Sequence, residues 1–137
     1  MAGKRTIEAL KYHSLKYNCA VSVMLPFCDA LGVDKRTAVR MLEGCGRGLG
    51  TKDGNCGALI GADCVIGLIN SEGTLDKGPA SKENTYEKTA AVYEAFKERC
   101  GSVFCDELKA ISDKSCEKCI AVAVELAEKL LNEQNKA

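Results

Sequence analysis

The sequence predicts an all-α fold, a single-domain helical bundle of about six or seven helices. Nearly every long segment repeats its apolar residues with the period of a helix, and no strand hairpin stands out. The chain has 137 residues, enough for one domain that buries its own core. We therefore expect residues 1–137 to form one cysteine-rich helical domain.

The first third of the chain predicts three helical segments. The first is short, and the apolar stripe resumes after Asn18. Pro26 should bend the second segment, because proline has no backbone N–H to donate, and Gly32 should end it. Asp34 then caps a third helix that Gly44 terminates. The apolar residues of the first segment are Ile7, Leu10 and Leu15.

The middle of the chain combines a glycine-rich loop, a buried helix and a polar loop. Alternate glycines from Gly44 to Gly50 permit positive φ and a close approach of the backbone to another group. Cys56 opens a segment that is apolar on almost every side, which predicts a central buried helix over residues 58–69. Residues 71–85 are polar and contain glycine and proline, so a long loop is expected there.

The last part of the chain predicts three more helices and a tail. Asn84 and Glu87 resemble a capping box, which predicts a helix start at this point. A short helix should follow over residues 102–111, and Ser115 should start the last helix. Residues 132–137 are expected to form a frayed tail.

Charge and hydropathy exclude two classes of partner. The 19 basic and 19 acidic residues are mixed along the chain, so no electrostatic footprint for nucleic acid is visible. No run of 18 consecutive apolar residues indicates a membrane span, and Glu8 and Lys11 interrupt any secretory signal. We expect a cytoplasmic protein, whose reducing surroundings keep thiols free.

Cysteine is the residue type that needs an explanation. There are nine, an odd number that cannot pair completely, in a chain whose 46% apolar residues already suffice for a core. Four of them fall within the first turn of a predicted helix. Backbone N–H groups and a partial positive charge at a helix start favour the thiolate, which is both nucleophile and metal ligand. Four such sulfurs match one tetrahedral metal or iron–sulfur site. These four are Cys19, Cys56, Cys105 and Cys116.

Several short motifs, spread over almost the whole chain, occur together in one known family. They are Tyr17-Asn18-Cys19, the glycine-rich loop ending at Gly50, Cys56-Gly57-Ala58-Leu59-Ile60-Gly61, Gly101-Ser102 with Cys105-Asp106-Glu107-Leu108, and Cys116. With them the chain resembles the bacterial and archaeal C_GCAxxG_C_C family of redox-active proteins. The four cysteines of that family's pattern fall here on the four helix-start cysteines. The resemblance implies that they hold a redox centre such as an iron–sulfur cluster.

Five further cysteines depart from the family's pattern: Cys28, Cys45, Cys64, Cys100 and Cys119. We expect Cys28, Cys64 and Cys100 to fill the core as small hydrophobic residues. Cys64 also lies eight residues after Cys56, on nearly the same helical face. Cys45 occupies a loop position where relatives tend to have an aromatic residue, and both a packing role and a place in the site stay open. Cys116 and Cys119 form a Cys-x-x-Cys at a helix start, typical of thiol–disulfide oxidoreductases and of metal sites.

The glycines and the single histidine are weaker signals. The loop lacks G-x-G-x-x-G, so it either packs closely or lets its N–H groups line the sulfur site or an anionic cofactor. His13 is expected at the partly exposed surface rather than as a ligand, and a histidine-rich catalytic zinc is not expected. The candidate cofactor-binding glycines are Gly46, Gly48, Gly50 and Gly57.

Three functions stay open at this point. In the first, the four helix-start cysteines hold an iron–sulfur cluster or another thiophilic metal for electron transfer or sensing, and a redox partner protein would exchange electrons with it. In the second, pairs such as Cys116/Cys119 or Cys19/Cys56 cycle between dithiol and disulfide. In the third, a non-enzymatic helical domain is stabilised by disulfides or zinc.

Overall fold

Eight α-helices account for most of the chain in the computed structural model, which describes residues 3–135. Two short 3-10 turns adjoin these helices. Leu25–Phe27 joins α2 (Cys19–Met24) to α3 (Cys28–Leu31), and Glu43–Cys45 extends α4 (Lys35–Leu42). Because α2, its 3-10 turn and α3 follow without a break, the described residues form seven helical rods. The all-α bundle of six or seven helices is thus confirmed. The helices are α1 (Lys4–Ser14), α2 (Cys19–Met24), α3 (Cys28–Leu31), α4 (Lys35–Leu42), α5 (Gly57–Asn70), α6 (Lys82–Cys100), α7 (Cys105–Ile111) and α8 (Ser115–Asn135).

Local sequence signals set several helix boundaries. The Asn18 side-chain oxygen accepts a hydrogen bond of 2.9 Å from the backbone N–H of Val21 and so caps α2. Asp34 caps α4 in the same way. Pro26 lies in the 3-10 turn where the rod changes from α2 to α3, and Gly32 ends α3 with a φ of 69°. These four boundaries agree with the sequence prediction.

Helix α5 forms the centre of the bundle. It is apolar on nearly every side and packs against both α2 and α8. Gly61 permits the close contact with α2, because a Cβ there would lie 2.6 Å from the Ala20 carbonyl oxygen and 3.0 Å from the Val23 Cβ. The predicted central helix is therefore confirmed. Fully buried large side chains of the core include Phe27, Ile66, Phe96 and Ile120.

The polar loop before α6 is shorter than predicted. Helix α6 begins at Lys82, so the loop covers residues 71–81 rather than 71–85, and the predicted capping box lies inside the helix. The loop closes through a reciprocal pair of hydrogen bonds. The backbone N–H of Ser81 donates to the Glu72 carboxylate at 2.9 Å, and the Ser81 hydroxyl accepts from the Glu72 N–H at 3.0 Å. This local closure fixes the helix start earlier than the sequence pattern indicates.

Helix α1 buries a different face from the one its large apolar residues suggest. Ile7 and Leu15 are each 59% exposed, whereas Thr6 and Ala9 are buried. The helix packs against α2 and α8 through this small-residue face. The predicted apolar stripe is therefore wrong for Ile7 and Leu15, whereas Leu10 is partly buried and packs against the core.

The last helix runs further than predicted. Helix α8 continues to Asn135, so residues 132–135 are helical where a frayed tail is predicted, and residues 136–137 lie outside the described part of the chain. Leu131 is buried near this end, and its contact with the core favours the helical state of the following turn. Between residues 3 and 135, no helix combines the length and apolar character that a membrane crossing requires.

Candidate metal centre

A cavity of about 400 Å³ opens where the starts of four helices meet. The four cysteines predicted as metal ligands all line it. Cys19 is the first residue of α2, Cys105 is the first residue of α7, and Cys116 is the second residue of α8. Cys56 occupies the N-cap position of α5. The fold therefore brings these thiols together at helix N-termini, where the helix dipole favours their anionic form.

Backbone hydrogen bonds hold Cys56 and Cys105 side by side. The N–H of Cys56 donates to the Val103 carbonyl at 2.7 Å, and the N–H of Cys105 donates to the Gly54 carbonyl at 3.0 Å. Between these two bonds, Asn55 and Phe104 form an isolated antiparallel β-bridge. The starts of α5 and α7 are thus joined directly rather than only through the core.

Asn18 positions Cys19. Besides capping α2, its amide nitrogen donates to the carbonyl oxygens of Leu42 at 3.2 Å and Glu43 at 3.0 Å. One side chain thus satisfies the start of α2 and the end of α4 together. The cavity-facing end of α2 is fixed against a neighbouring helix as a result.

The glycine-rich loop lies against the helix starts. A Cβ at Gly46 would lie 2.5 Å from the Asn18 Cβ, and one at Gly48 would lie 2.8 Å from the Cys105 Cβ. Gly57 lines the cavity. A Cβ at Gly50 would have no neighbour within 4 Å. Close packing thus accounts for Gly46 and Gly48. The loop reaches left-handed φ angles at Arg47, Gly48, Leu49, Gly50 and Lys52.

The cavity carries a positive fixed charge. Lys16, Arg47 and Lys109 line it, and no Asp or Glu does so among the described residues. Hard cations such as Ca²⁺ and Mg²⁺ prefer carboxylate oxygens, so this lining does not suit them. It suits thiolates and an anionic thiolate-bound centre, whose charge the three cations offset.

Cys19 and Cys116 form one hydrogen-bonded pair of thiols in the cavity. Hydrogen bonding with Cys19 lowers the pKa of Cys116 to about 6, and the positive charge of Lys109 acts in the same direction. The same hydrogen bond, with burial, raises the pKa of Cys19. Within this pair the anionic form is therefore favoured at Cys116 and the protonated form at Cys19.

A second group of thiols centres on Cys119. Hydrogen bonds with Cys100 and Cys56 raise the pKa of Cys119, and they lower the pKa of Cys56 and of Cys100. Cys119 lines the cavity, whereas Cys100 lies at the end of α6. The Cys-x-x-Cys spacing pointed to Cys119. No sequence signal pointed to Cys100, because its contact arises only where α6 meets α8.

His13 also faces the cavity, although the sequence predicts it at the partly exposed surface rather than as a metal ligand. It is half-buried, and it lines the cavity from the last turn of α1. One of its ring nitrogens and the Sγ atoms of Cys19 and Cys116 all lie within 4.8 Å of one another. A lone histidine in a separate helix gives no spacing signal, so only the packing of α1 reveals this proximity.

The remaining cysteines lie outside the cavity lining. Cys28 is fully buried, and its Sγ donates to the Met24 carbonyl at 3.7 Å. Cys45 and Cys64 are half-buried. Burial, and after it the neighbouring Cys45, raises the pKa of Cys64. Cys105, which does line the cavity, also has a raised pKa, and burial is the main cause.

Comparison with known families identifies the chain. A family model described as "Putative redox-active protein (C_GCAxxG_C_C)" matches residues 17–130, a span that includes all nine cysteines and excludes His13. Comparisons with curated proteins and with solved structures found no match. The family match covers well over half of the chain. The chain therefore belongs to the C_GCAxxG_C_C family.

Proposed function

We propose that this protein holds a redox-active iron–sulfur cluster or other thiophilic metal for electron transfer or sensing. The ligands would be Cys19, Cys56, Cys105 and Cys116. The observation that carries the proposal is the convergence of these four thiols, from four separate helix starts, on one cavity. Four thiolates are the donor set of common iron–sulfur clusters and of closed thiolate metal sites.

The surroundings of the thiols fit such a centre. The cavity is lined by three cationic side chains and is bordered by helix N-termini, and both features lower the free energy of a negatively charged thiolate cluster. When bound, a redox-active centre of this kind supplies one-electron chemistry. The chain's own residues would bind it, restrict its contact with water and set its reduction potential through their charge.

A redox partner protein would exchange electrons with the centre. Lys16 and Lys109 line the cavity and are exposed, so an acidic patch on the partner would complement this surface. A cytoplasmic location would supply the reducing surroundings that keep the thiols available for a metal.

Anaerobic purification followed by metal and sulfide analysis tests the proposal. We expect about one centre per chain, with an absorption band from thiolate-to-metal charge transfer if the metal is iron. A colourless protein that contains no thiophilic metal and takes none up under reducing conditions would contradict the proposal.

A second candidate function is thiol–disulfide exchange, which the contact between Cys19 and Cys116 favours. The Cys116 thiolate would attack a substrate disulfide, form a mixed disulfide and release the first substrate thiol. The Cys19 thiol, on losing its proton, would then displace the second substrate thiol and close a Cys19–Cys116 disulfide. The substrate is reduced to two thiols while the two chain thiols are oxidised.

The thiol contacts differ from the pairs that the sequence suggests. The Sγ atoms of Cys116 and Cys19 lie within 4.8 Å of each other, and the hydrogen-bond partners of Cys119 are Cys100 and Cys56. Mass spectrometry after mild oxidation and alkylation should therefore find a Cys19–Cys116 disulfide if the second function is correct. Reduction of a model disulfide at the uncatalysed rate would count against it.

A further inference from the structure

One group of side chains already has the spacing of metal ligands. Among the described residues, a ring nitrogen of His13 and the thiols of Cys19 and Cys116 lie mutually within 4.8 Å. Each residue belongs to a different helix, and all three line the same cavity. His13 thus offers an imidazole donor beside two of the four family cysteines.

The packing of α1 holds the imidazole in place. Helix α1 packs against both α2, which carries Cys19, and α8, which carries Cys116. At the far end of α1, Arg5 forms an ion pair of 3.2 Å with Glu128 of α8. At the near end, the rings of Tyr12 and Tyr17 meet edge to face, with their centroids 5.8 Å apart. The position of His13 relative to the two thiols is therefore set by packed elements rather than by a loop.

We propose that His13 is a ligand of the centre, beside Cys19 and Cys116, and that this chain has a mixed nitrogen–sulfur site. This inference rests on the proposed function. It adds a ligand from outside the region that the family model matches, which begins at residue 17. Cys56 or Cys105, in the same cavity, would supply the fourth donor of a tetrahedral set, so His13 would replace one of the four thiolates proposed above.

A mixed ligand set has consequences for the metal. Imidazole and thiolate together suit zinc, iron and other borderline or soft divalent ions. A neutral imidazole in place of a thiolate makes the centre less negative, and histidine ligation of this kind raises the reduction potential of an iron–sulfur centre. We therefore expect that removal of His13 changes both metal affinity and, for a redox-active metal, the potential.

The single histidine of the chain makes a direct test practical. The reduced, metal-free full-length protein is labelled with ¹⁵N-histidine and loaded with ¹¹³Cd²⁺ as the probe. A scalar coupling between ¹¹³Cd and the histidine ¹⁵N requires a bond, so we expect to observe it in the wild-type protein. In His13→Gln the coupling is absent, and we expect the Cd²⁺ affinity to fall at least about tenfold, since even indirect partners of a ligand contribute that much.

A Lys109→Gln variant is the matched control. Lys109 lines the same cavity but offers no ligand at neutral pH, so its loss should reduce Cd²⁺ affinity less than the loss of His13. If wild-type protein binds Cd²⁺ with thiolate charge-transfer absorption, but without ¹⁵N coupling and with an affinity that His13→Gln leaves unchanged, the inference is wrong and the proposed function stands. If wild-type protein binds no Cd²⁺ through thiolates, both are overturned.

Discussion

Cys116 and Cys28 carry the same functional group in two contrasting regions of the molecule. Cys116 lines the cavity, and Cys28 lies in the core. Cys28 follows the Pro26 bend and is fully buried among core residues, and its Sγ donates a hydrogen bond to the Met24 carbonyl of the preceding turn. Burial raises its pKa. Cys116 lies at the start of α8, beside Cys19 and facing the charged side chain of Lys109, and its pKa is lowered to about 6.

The difference shows what favours the thiolate form of a cysteine, which is the form that binds a metal. Both residues are partly or wholly shielded from water, so burial alone does not separate them. Cys28 is also the first residue of a helix, and the positive charge of Lys35 also acts on it. The feature that separates Cys116 is therefore the neighbouring thiol of Cys19, which hydrogen-bonds to it. Substitution of Cys19 and of the residues that position it gives ways to test the contrast.

The largest effect is expected from the cavity cysteines themselves. Cys19→Ser and Cys116→Ser should each reduce the metal content of anaerobically purified protein to background, because each removes a thiolate donor. Cys28→Ala should keep the metal and lose about 1 kcal/mol of stability through the lost buried volume. Elemental analysis and urea unfolding measure the two outcomes. Equal metal loss in Cys28→Ala would remove the distinction between the two regions.

Two glycines of α5 test whether helix packing sets the position of the thiols. In Gly61→Ala the new Cβ would meet the Ala20 carbonyl, so we expect a loss of about 1–3 kcal/mol in the free energy of unfolding and weaker metal binding. Gly67→Ala is the control, since a Cβ there has no neighbour within 4 Å and should stabilise the helix by about 0.5–1 kcal/mol. Urea titrations that show the same change in both variants would contradict this account of the crossing of α2 and α5.

The two helix caps separate stability from site geometry. Asn18→Ala and Asp34→Ala should each cost about 1 kcal/mol, because each removes a side chain that accepts a backbone hydrogen bond. Only Asn18 adjoins a cavity cysteine, so only Asn18→Ala should also weaken metal binding. Parallel measurements of the midpoint of urea unfolding and of Cd²⁺ affinity check this expectation. A similar loss of affinity in Asp34→Ala would show that general destabilisation, and not the position of Cys19, controls binding.

The smallest effect is a shift in the titration of Cys116. In metal-free protein, its alkylation by iodoacetamide should rise as the pH passes about 6, whereas an ordinary thiol becomes reactive only near pH 8.5. Cys19→Ala should move this transition to higher pH, because the hydrogen bond from Cys19 is the main cause of the lowered pKa. Mass spectrometry after timed alkylation identifies the modified residue, with Cys28 as the unreactive control. An unchanged transition in Cys19→Ala would show that this hydrogen bond is not the cause.

The sequence predicts the helices better than the site because the two depend on different information. Asn18, Gly32 and Asp34 act within one turn of their own position, so local pattern suffices for their boundaries. The proximity of His13 to Cys116 and of Cys100 to Cys119 joins helices that are not consecutive in the chain, and no spacing encodes it. The loop before α6 was mispredicted for a related reason, since Ser81 pairs with Glu72 across the loop rather than with its own helix.

X-ray absorption spectroscopy of anaerobically purified, metal-loaded protein tests the central claim most directly. The account predicts a first shell dominated by sulfur, at about 2.3 Å if the metal is zinc, with one nitrogen donor that disappears in His13→Gln. A first shell made up of oxygen and nitrogen without sulfur would contradict the claim that the converging helix starts form a thiolate metal centre.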